Sequence, residues 1–396
     1  MFQPLTGIRI VDLTQVLAGP YATYQMGLMG AEVIKVELPG RGDWTREGMG
    51  DQAGMGTGYL TQNANKRSVT IDLKQPRGIA LLRRFIEKSD VFVENYRPGA
   101  AARLGLSFED VRAINPKILY CSISAYGQDG PIGHRPAYDH VVQGMCGIMQ
   151  TTGTPETAPN KVGAPYIDYA TGLNAAFAIV SALHEVRRTE KAIRIDVAML
   201  DTSMLLMSSL MTNHLTTGWE AKPSGNEAWS QSPSSSAFET TDGTLMIAAN
   251  NDRQFERLCT AIGREDILTD PRWAETDARR TNALALREEL ANTIKHDSAD
   301  AWEIILDRAG VPGARVRTLT EVLAEDQLKA RQITAPVSVA GYDAPAQVPT
   351  LGFKVDGKAI APTTSPPELG SDTDAVLQEF GCSEDEIATL RKDGII

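Results

Sequence analysis

The sequence predicts an α/β fold with a parallel sheet, because strand-like apolar runs alternate with helical segments along its first half. Residues 7–13 form a β-rich run after a glycine, residues 20–29 form a helical segment that opens on Pro20, and residues 31–37 form a second run. This strand-helix-strand unit implies two parallel strands joined by a right-handed crossover.

The alternation continues to about residue 217. Further strands are predicted at 68–73, 91–95, 118–124 and 194–200. Further helices are predicted at 77–88, 100–104, 138–150 and 169–185, followed by a Met- and Leu-rich helix that reaches Leu215. Strands and helices in this order predict a sheet with helices on both faces.

A polar stretch at 222–236 is the clearest loop in the chain. A second unit starts near Ala237 with a β-hairpin at Asp242-Gly243, continues with helices at 253–262, 282–295 and 300–308, and ends near Val322. The last segment is Pro-rich from 336 and helical from Thr373. We therefore expect two domains.

Composition excludes several classes of protein. The net charge of −11 disfavours nucleic acid as a partner. No apolar run is long enough to cross a membrane, and the N-terminus lacks the basic and apolar regions of a signal peptide. Cys121, Cys146, Cys259 and Cys382 are widely spaced, so we expect reduced, mostly buried thiols in a cytoplasmic protein, with no disulfide framework and no metal site.

The first strand-helix-strand unit invites comparison with dinucleotide-binding enzymes. Glu37 ends the second strand, where such enzymes carry an acid that binds ribose. The turn at 13–20, however, lacks the glycine fingerprint, and the chain has no P-loop. We therefore expect no nicotinamide site, and we interpret Glu37 as a solvated strand end.

Basic residues follow several of the predicted strands. Lys74, Arg97 and Arg103 lie at or just beyond the carboxyl ends of parallel strands, as does the turn at 16–20. Ligands of open α/β sheets bind at that edge, and these cations could pair with phosphate groups. The alternative is that they are ordinary solvated surface residues.

Asp168 is a single acid at the start of a small-residue helical run, 172–183. An acid at this position usually caps the helix by accepting backbone N–H groups. The same position also suits a reactive carboxylate, since a helix N-terminus favours negative charge, and such a carboxylate can attack an activated acyl group.

Several phrases occur together in an order that is characteristic of one family. They lie at residues 7–13, 16–20, 30–37, 42–46, 65–68, 94–99, 196–201 and 369–377. On these phrases the chain resembles the class III CoA-transferases, the group that contains formyl-CoA:oxalate and carnitine CoA-transferases. The resemblance runs nearly end to end.

The resemblance implies a domain layout and an oligomer. A large Rossmann-like domain would comprise residues 1–217 and the returning segment 323–396, and a smaller α/β domain would comprise 237–322. Residues 218–236 would form the linker and an active-site loop. Two chains would thread through each other as an interlocked-ring homodimer.

The resemblance also implies a function. Asp168 falls on the family's nucleophile, which exchanges CoA between an acyl-CoA donor and a carboxylic acid acceptor through an aspartyl anhydride and an aspartyl-CoA thioester. Coenzyme A would be part of the substrate and no cofactor would be needed. By resemblance, the contacts to CoA come from Val16, Leu17, Ala18, Ile71, Asp72, Leu73, Lys74, Asn95, Tyr96, Arg97, Arg103, Ala137 and Tyr138.

Two departures from formyl-CoA transferases bear on the substrate. Those enzymes have Gln where this chain has Leu17, and a glycine run where this chain has residues 231–236. Pro233 makes that loop stiffer than a run of glycines. We therefore expect a bulkier acyl group or acid than formyl-CoA and oxalate.

Two alternatives remain open. α-Methylacyl-CoA racemases share the fold and use a His-Asp pair, but this chain has Tyr138 where the His would stand, and His140 is two positions further on. An unperturbed Tyr is a poor base at neutral pH, so a transferase is favoured. A non-catalytic CoA-binding protein would not need Asp168.

Overall fold

The computed structural model describes residues 2–48, 50, 54–228 and 232–396. The chain forms two compact units. The first, here called the sheet unit, comprises Met1–Ile148, Lys161–Trp219 and Lys329–Ile396, and the second comprises Met149–Asn160 and Glu220–Leu328. No composition shift marks the short segment Met149–Asn160, which the predicted boundaries place in the large domain.

The strands of the sheet unit's main sheet are β1 Arg9–Asp12, β2 Glu32–Glu37, β3 Lys66–Thr70, β4 Val91–Glu94, β5 Leu119–Ser124 and β6 Ile193–Ala198. Smaller sheets are formed by β7 Ser235–Glu239, β8 Thr244–Ala248, β9 Gly313–Arg315, β10 Thr334–Val337, β11 Ala346–Pro349, β12 Lys354–Val355 and β13 Lys358–Ala359.

The helices up to Trp219 are α1 Ala18–Leu28, α2 Thr57–Leu60, α3 Pro76–Glu87, α4 Ala100–Arg103, α5 Phe108–Ile114, α6 Asp139–Cys146, α7 Ile148–Thr151, α8 Tyr166–Thr189, α9 Met199–Leu206 and α10 Ser208–Thr217. The later helices are α11 Asp252–Ala261, α12 Asp266–Thr269, α13 Thr276–Thr281, α14 Ala283–Ile294, α15 Ala299–Ala309, α16 Leu319–Ala324, α17 Asp326–Arg331, α18 Thr373–Glu379 and α19 Glu384–Lys392.

The main sheet is parallel and has the strand order β3-β2-β1-β4-β5-β6. Its central strands are buried on both faces: Ile10 packs in one apolar layer with α1 and α8, whereas Val11 packs in the other with α3. This confirms the predicted α/β class. The order of the strands reverses between β1 and β4, and a crevice at such a point is the usual ligand site of an open sheet.

Two predicted elements have different ends. The strand predicted at 68–73 stops at Thr70, since β2 ends at Glu37 and the Asp72 N–H donates instead to the Ile395 carbonyl. The Ile71 N–H still donates to the Glu37 carbonyl. After Ile71 the chain therefore leaves the sheet. The helix predicted at 138–150 is broken at Gly147, whose φ of 91° is left-handed.

The C-terminal segment covers β3, which is an edge strand of the main sheet. The Asp372 carboxylate accepts the Ser68 N–H at 2.9 Å, the Asp372 N–H bonds the Ser68 carbonyl at 3.0 Å, and the Gly370 N–H bonds the Ser68 hydroxyl at 2.9 Å. An unpaired edge would otherwise offer these groups to another chain.

The interpretation of Glu37 as a solvated strand end is wrong. Glu37 is only 3 % exposed and pairs with Arg46, whose Nη2 lies 2.8 Å from its carboxylate. The sequence shows an acid at a strand end but not the guanidinium nine residues later that folds back over it. The expected burial of the cysteines is confirmed, since all four are buried.

The second unit has its own core. β7 and β8 form the predicted hairpin, β9 pairs with β8, and α11, α14 and α15 pack around Trp273, Phe255 and Leu286. Gln231, at the start of the loop predicted at 231–236, lies outside the described residues. No described helix is long and apolar enough to cross a membrane.

Candidate active site

A cavity of about 370 Å³ lies at the carboxyl edge of the main sheet, where the strand order reverses. It lies within the sheet unit. It is lined by Gln15, Val16, Leu17, Ala18, Asn95, Tyr96, Arg97, Pro98, Ile123, Ser124, Ala125, Arg135, Pro136, Ala137, Tyr138, Asp168 and Met199. The structure therefore brings Asp168 together with eight residues predicted to contact CoA.

A second cavity of about 260 Å³ adjoins the first, since Gln15 and Tyr96 line both. Ile71, Asp72, Leu73 and Lys74 line this second cavity. Arg103, the last residue of α4, is exposed and lines neither cavity. Its contact with CoA stays a prediction.

Eight residues of the first cavity were not among the predicted site residues: Gln15, Pro98, Ile123, Ser124, Ala125, Arg135, Pro136 and Met199. Arg135 stands two residues before the Ala137-Tyr138 pair that the resemblance singled out, and of the eight it alone brings a charge. A cation beside two predicted ligand contacts is the signal in the sequence that could have found it.

The turn after β1 is held by side chains from neighbouring strands. Asn95, just after β4, accepts the Gln15 N–H at 2.9 Å and donates to the Gln15 carbonyl at 2.7 Å. The Lys35 ammonium donates to the Thr14 carbonyl at 2.7 Å. These bonds tie the turn across the point where the strand order reverses.

The turn continues through Val16, which has a φ of 72°. This left-handed conformation is costly for a β-branched residue and persists only where the surroundings impose it. The Val16 N–H donates to Asp43 at 3.2 Å, and its carbonyl accepts from Gln62. This turn conformation places Val16, Leu17 and Ala18 along the cavity wall.

A buried ion pair holds the turn after β1 in place. Lys35 and Asp43 form an ion pair at 2.9 Å with both side chains fully buried. Burial opposes the ionisation of Asp43, but Lys35 and the Thr45 N–H outweigh it and hold the pKa of Asp43 below its usual value. An ionised Asp43 keeps its bond to the Val16 N–H.

Asp168 is in the first turn of α8 and is not its N-cap, which is Pro165. The capping interpretation is therefore wrong: the acceptor for this helix end is the Asp139 carboxylate, which takes the Ile167 N–H at 2.8 Å and the Asp168 N–H at 3.2 Å. Sequence could not show that an acid 29 residues earlier does the capping.

The Asp168 carboxylate accepts no hydrogen bond from any residue that the structure describes, although its side chain lines the cavity. Burial, followed by the nearby negative charge of Asp139, raises its pKa from 3.8 to about 7. A carboxylate with this basicity and without a donor is a stronger nucleophile than an ordinary aspartate.

The residues that a racemase would need are not arranged for proton transfer. Tyr138 is the N-cap residue of α6 and is 58 % exposed at the cavity wall. His140 is not among the lining residues. Among the described residues, one carboxyl thus faces the cavity without the second base that proton exchange on two faces of a carbon requires.

Comparison with known proteins identifies the class. The sequence model of CoA-transferase family III matches residues 5–373, and the chain belongs to this family. It is 35 % identical over 404 residues to a succinyl-CoA:glutarate CoA-transferase of Mus musculus, covering 100 % of this chain and 90 % of the relative.

Two further comparisons agree with this family assignment. The chain is 37 % identical over 339 residues to a succinate–glutarate CoA-transferase of Agrobacterium fabrum, covering 83 % of this chain and 84 % of the relative. A solved structure of a CAIB/BAIF family protein from Brucella suis has a TM-score of 0.86 at 32 % identity and covers 96 % of this chain and 100 % of that one. The chain is thus a family III CoA-transferase.

The raised pKa of Asp168 predicts a pH-dependent effect of Asp168→Asn on stability. The folded protein holds this proton to a higher pH than the unfolded chain does. The associated stability is fully present below pH 3.8, the ordinary aspartate pKa, and is lost as the pH rises through about 7. We expect Asp168→Asn to stabilise the protein at pH 8 by on the order of 2 kcal/mol.

Thermal unfolding of the two proteins at pH 8 and pH 5.5 measures this effect. The gain should be smaller at pH 5.5, where folded wild-type protein is already protonated at Asp168. An equal change at both pH values would show that the Asp168 pKa is not raised by folding.

Proposed function

We propose that this CoA-transferase exchanges CoA through covalent intermediates on Asp168. The proposal rests on the state of the Asp168 carboxylate. It faces the cavity, accepts no hydrogen bond from the described residues, and has a pKa of about 7. A binding protein has no use for a basic carboxylate of this kind in its ligand cavity. A nucleophile does, because an oxygen engaged by a donor would attack more slowly.

The donor half of the reaction runs in two steps. An Asp168 oxygen attacks the thioester carbonyl of the acyl-CoA, the carbon–sulfur bond breaks, and an aspartyl–acyl anhydride and a CoA thiolate result. The thiolate then attacks the aspartyl carbonyl of the anhydride. The acyl group leaves as a carboxylate, and an aspartyl-CoA thioester remains.

The acceptor half repeats these steps in reverse. The acceptor carboxylate attacks the aspartyl thioester carbonyl, which releases the thiolate and forms a new anhydride. The thiolate attacks the acceptor's carbonyl and regenerates the Asp168 carboxylate. Each step moves an activated acyl bond without hydrolysis, so the cavity must exclude water while an intermediate is present.

CoA binding is proposed along the two adjoining cavities. The strained turn at Val16, Leu17 and Ala18 and the Asn95–Arg97 segment border Asp168, and Ile71–Lys74 border the second cavity. Arg97 and Lys74 would attract the phosphates of CoA. The strand order of the main sheet supports the expected Rossmann-like domain.

An interlocked homodimer is part of the same proposal. Large apolar side chains on α8 and α9 are left uncovered in the single chain: Leu173, Phe177, Leu205 and Leu206 are 51 %, 72 %, 60 % and 54 % exposed. Partner contact would bury them. A cytoplasmic location is proposed as well, which the four free buried cysteines support.

A four- or five-carbon dicarboxylic acid is the proposed acyl group or acceptor. The relatives from Mus musculus and Agrobacterium fabrum are named for succinate and glutarate, and such acids are bulkier than formate and oxalate, as Leu17 suggested. Arg135 brings a positive charge to the wall of the Asp168 cavity. A guanidinium there suits the second carboxylate of a dicarboxylic acid.

Arg135→Ala is therefore expected to raise KM for glutarate or succinate by about tenfold, with a smaller effect on a monocarboxylic acid such as butyrate. Steady-state kinetics at saturating acyl-CoA measures the two KM values. Arg112→Ala, an exposed arginine paired with Glu109 on α5, is the matched control. Equal losses with both classes of acid would exclude Arg135 from their discrimination.

The reaction itself is tested by incubating the protein with succinyl-CoA and a panel of acids and separating the CoA esters by chromatography. Formation of glutaryl-CoA with release of succinate is the expected result. Free CoA without a new ester would indicate hydrolysis, and deuterium uptake at the α-carbon of a methylacyl-CoA in heavy water would indicate a racemase.

A further inference from the structure

A chain of hydrogen bonds from α6 fixes the backbone on which Asp168 stands. The Asp139 carboxylate accepts the Ile167 N–H at 2.8 Å and the Asp168 N–H at 3.2 Å through one oxygen, and the Gln143 side-chain amide at 2.5 Å through the other. The Gln143 oxygen in turn accepts the Val162 N–H at 2.8 Å. The segment from Val162 to Asp168 is thus held at both ends by one helix.

This arrangement is buried and directional. Asp139 is 6 % exposed and Gln143 is fully buried. Asp139 only accepts, so Gln143 must present its NH₂ group to Asp139 and its oxygen to Val162. The N-cap of α8 is Pro165, which has no side-chain acceptor for these N–H groups, and Asp139 supplies one from another helix.

We propose that Asp139 and Gln143 are positioning residues for the transferase reaction: they hold the backbone at Asp168 and keep a negative charge beside its carboxylate. The inference rests on the proposed function, in which Asp168 is the nucleophile. Neither residue was assigned a role by the sequence, and Gln143 does not line the cavity.

The negative charge of Asp139 has a chemical consequence. Asp168 is an anion before the reaction, whereas in the anhydride and in the aspartyl-CoA thioester its side chain is neutral. Repulsion from Asp139 raises the energy of the anion and not of the neutral forms. The charge of Asp139 therefore favours acylation of Asp168. It also keeps Asp168 protonated, and so unreactive, up to a higher pH.

Other charged and titratable groups lie on the elements that pack against α8 and on the cavity wall. Helices α1, α6 and α9 carry Tyr21, Tyr24, His140, Cys146 and Asp201, α8 itself carries Tyr166 and Tyr169 in its first turn, strands β5 and β6 carry Tyr120, Cys121, Arg194 and Asp196, and the cavity wall adds Tyr96, Arg97, Arg135 and Tyr138. After burial, it is Asp139 that raises the pKa of Asp168. A change at Asp139 should therefore be visible in the pH dependence of the reaction.

Two variants separate the geometry from the charge. In Asp139→Asn the side-chain oxygen can still accept both N–H groups, but its NH₂ group faces the NH₂ group of Gln143. Turning the Gln143 amide only moves the conflict to the Val162 N–H. In the double variant Asp139→Asn with Gln143→Glu, the Asn amide donates to the new carboxylate at position 143. The other oxygen of that carboxylate accepts the Val162 N–H, so every bond is restored.

We expect Asp139→Asn to lower kcat about tenfold and the double variant to recover most of this loss. The negative charge is one hydrogen bond further from Asp168 in the double variant. In both variants the acid limb of kcat/KM should therefore move to lower pH than in wild type, by about half a unit or more. Rescue of kcat together with a shifted limb is a result that a purely structural role would not give.

Thermal unfolding shows whether each variant is folded, and hydroxylamine trapping shows whether Asp168 is acylated. Wild-type kcat in Asp139→Asn, or an acid limb unchanged in both variants, would overturn the inference. So would a folded double variant that shows no recovery of kcat. If wild-type protein gives no trapped Asp168, the proposed function fails; if it does and the variants behave like wild type, only the positioning inference fails.

Discussion

Asp168→Asn lowers kcat for CoA exchange by about 10³-fold or more and leaves the Kd for an acyl-CoA within about threefold of wild type. Asn has the size of Asp but cannot form the anhydride. Asp168 is one of many residues that line the cavity, and the Asn95–Arg97 segment and the Val16–Ala18 turn remain in place. Chromatography of CoA esters measures the rate, and titration calorimetry measures binding.

Asp201→Asn is the matched control for this variant. Asp201 is also an acid in the first turn of a helix, α9, but it is exposed and does not line the cavity. Its replacement should change kcat less than about twofold. If Asp168→Asn retained wild-type turnover, Asp168 would have no part in the chemistry, whatever its pKa.

Lys35→Met destabilises the protein by about 3 to 5 kcal/mol. The Lys35 ammonium is fully buried between Asp43 and the Thr14 carbonyl, and Asp12 and Glu37 also interact with its charge. Methionine fills the same volume but leaves Asp43 buried without its counter-ion. It also removes the donor that holds the turn before Val16, so affinity for CoA should fall as well.

Lys117→Met tests whether this loss depends on burial. Lys117 pairs with Glu190 at 2.8 Å, but the two side chains are 59 % and 69 % exposed. Removing an exposed pair should cost less than about 1 kcal/mol. Thermal unfolding of both variants gives the comparison, and equal losses would show that the Lys35 network is not a buried support of the cavity.

The sequence was most informative where local pattern determines structure. Alternating strands and helices predicted the α/β class, and the β-hairpin at Asp242-Gly243 was located from its turn residues. The position of the cavity followed from the rule that ligands bind at the carboxyl edge of a parallel sheet. Asp168 was singled out by its place in the chain and by the family resemblance.

What the sequence could not show are contacts between side chains that are distant in the chain. Asp139 and Asp168 are 29 positions apart, and a first-turn acid resembles a cap because local rules consider only its own helix. The ion pair of Glu37 with Arg46 was missed for the same reason. Burial of charge depends on three-dimensional packing, which composition and spacing do not contain.

The most direct test of covalent transfer through Asp168 is mass spectrometry of the protein mixed with succinyl-CoA and quenched with hydroxylamine. Hydroxylamine converts an aspartyl anhydride or thioester to a hydroxamate. We expect this modification on Asp168 in wild-type protein, and only after acyl-CoA is added. Exchange of CoA between acids with no label on Asp168, at quench times shorter than one turnover, would contradict covalent transfer through this residue.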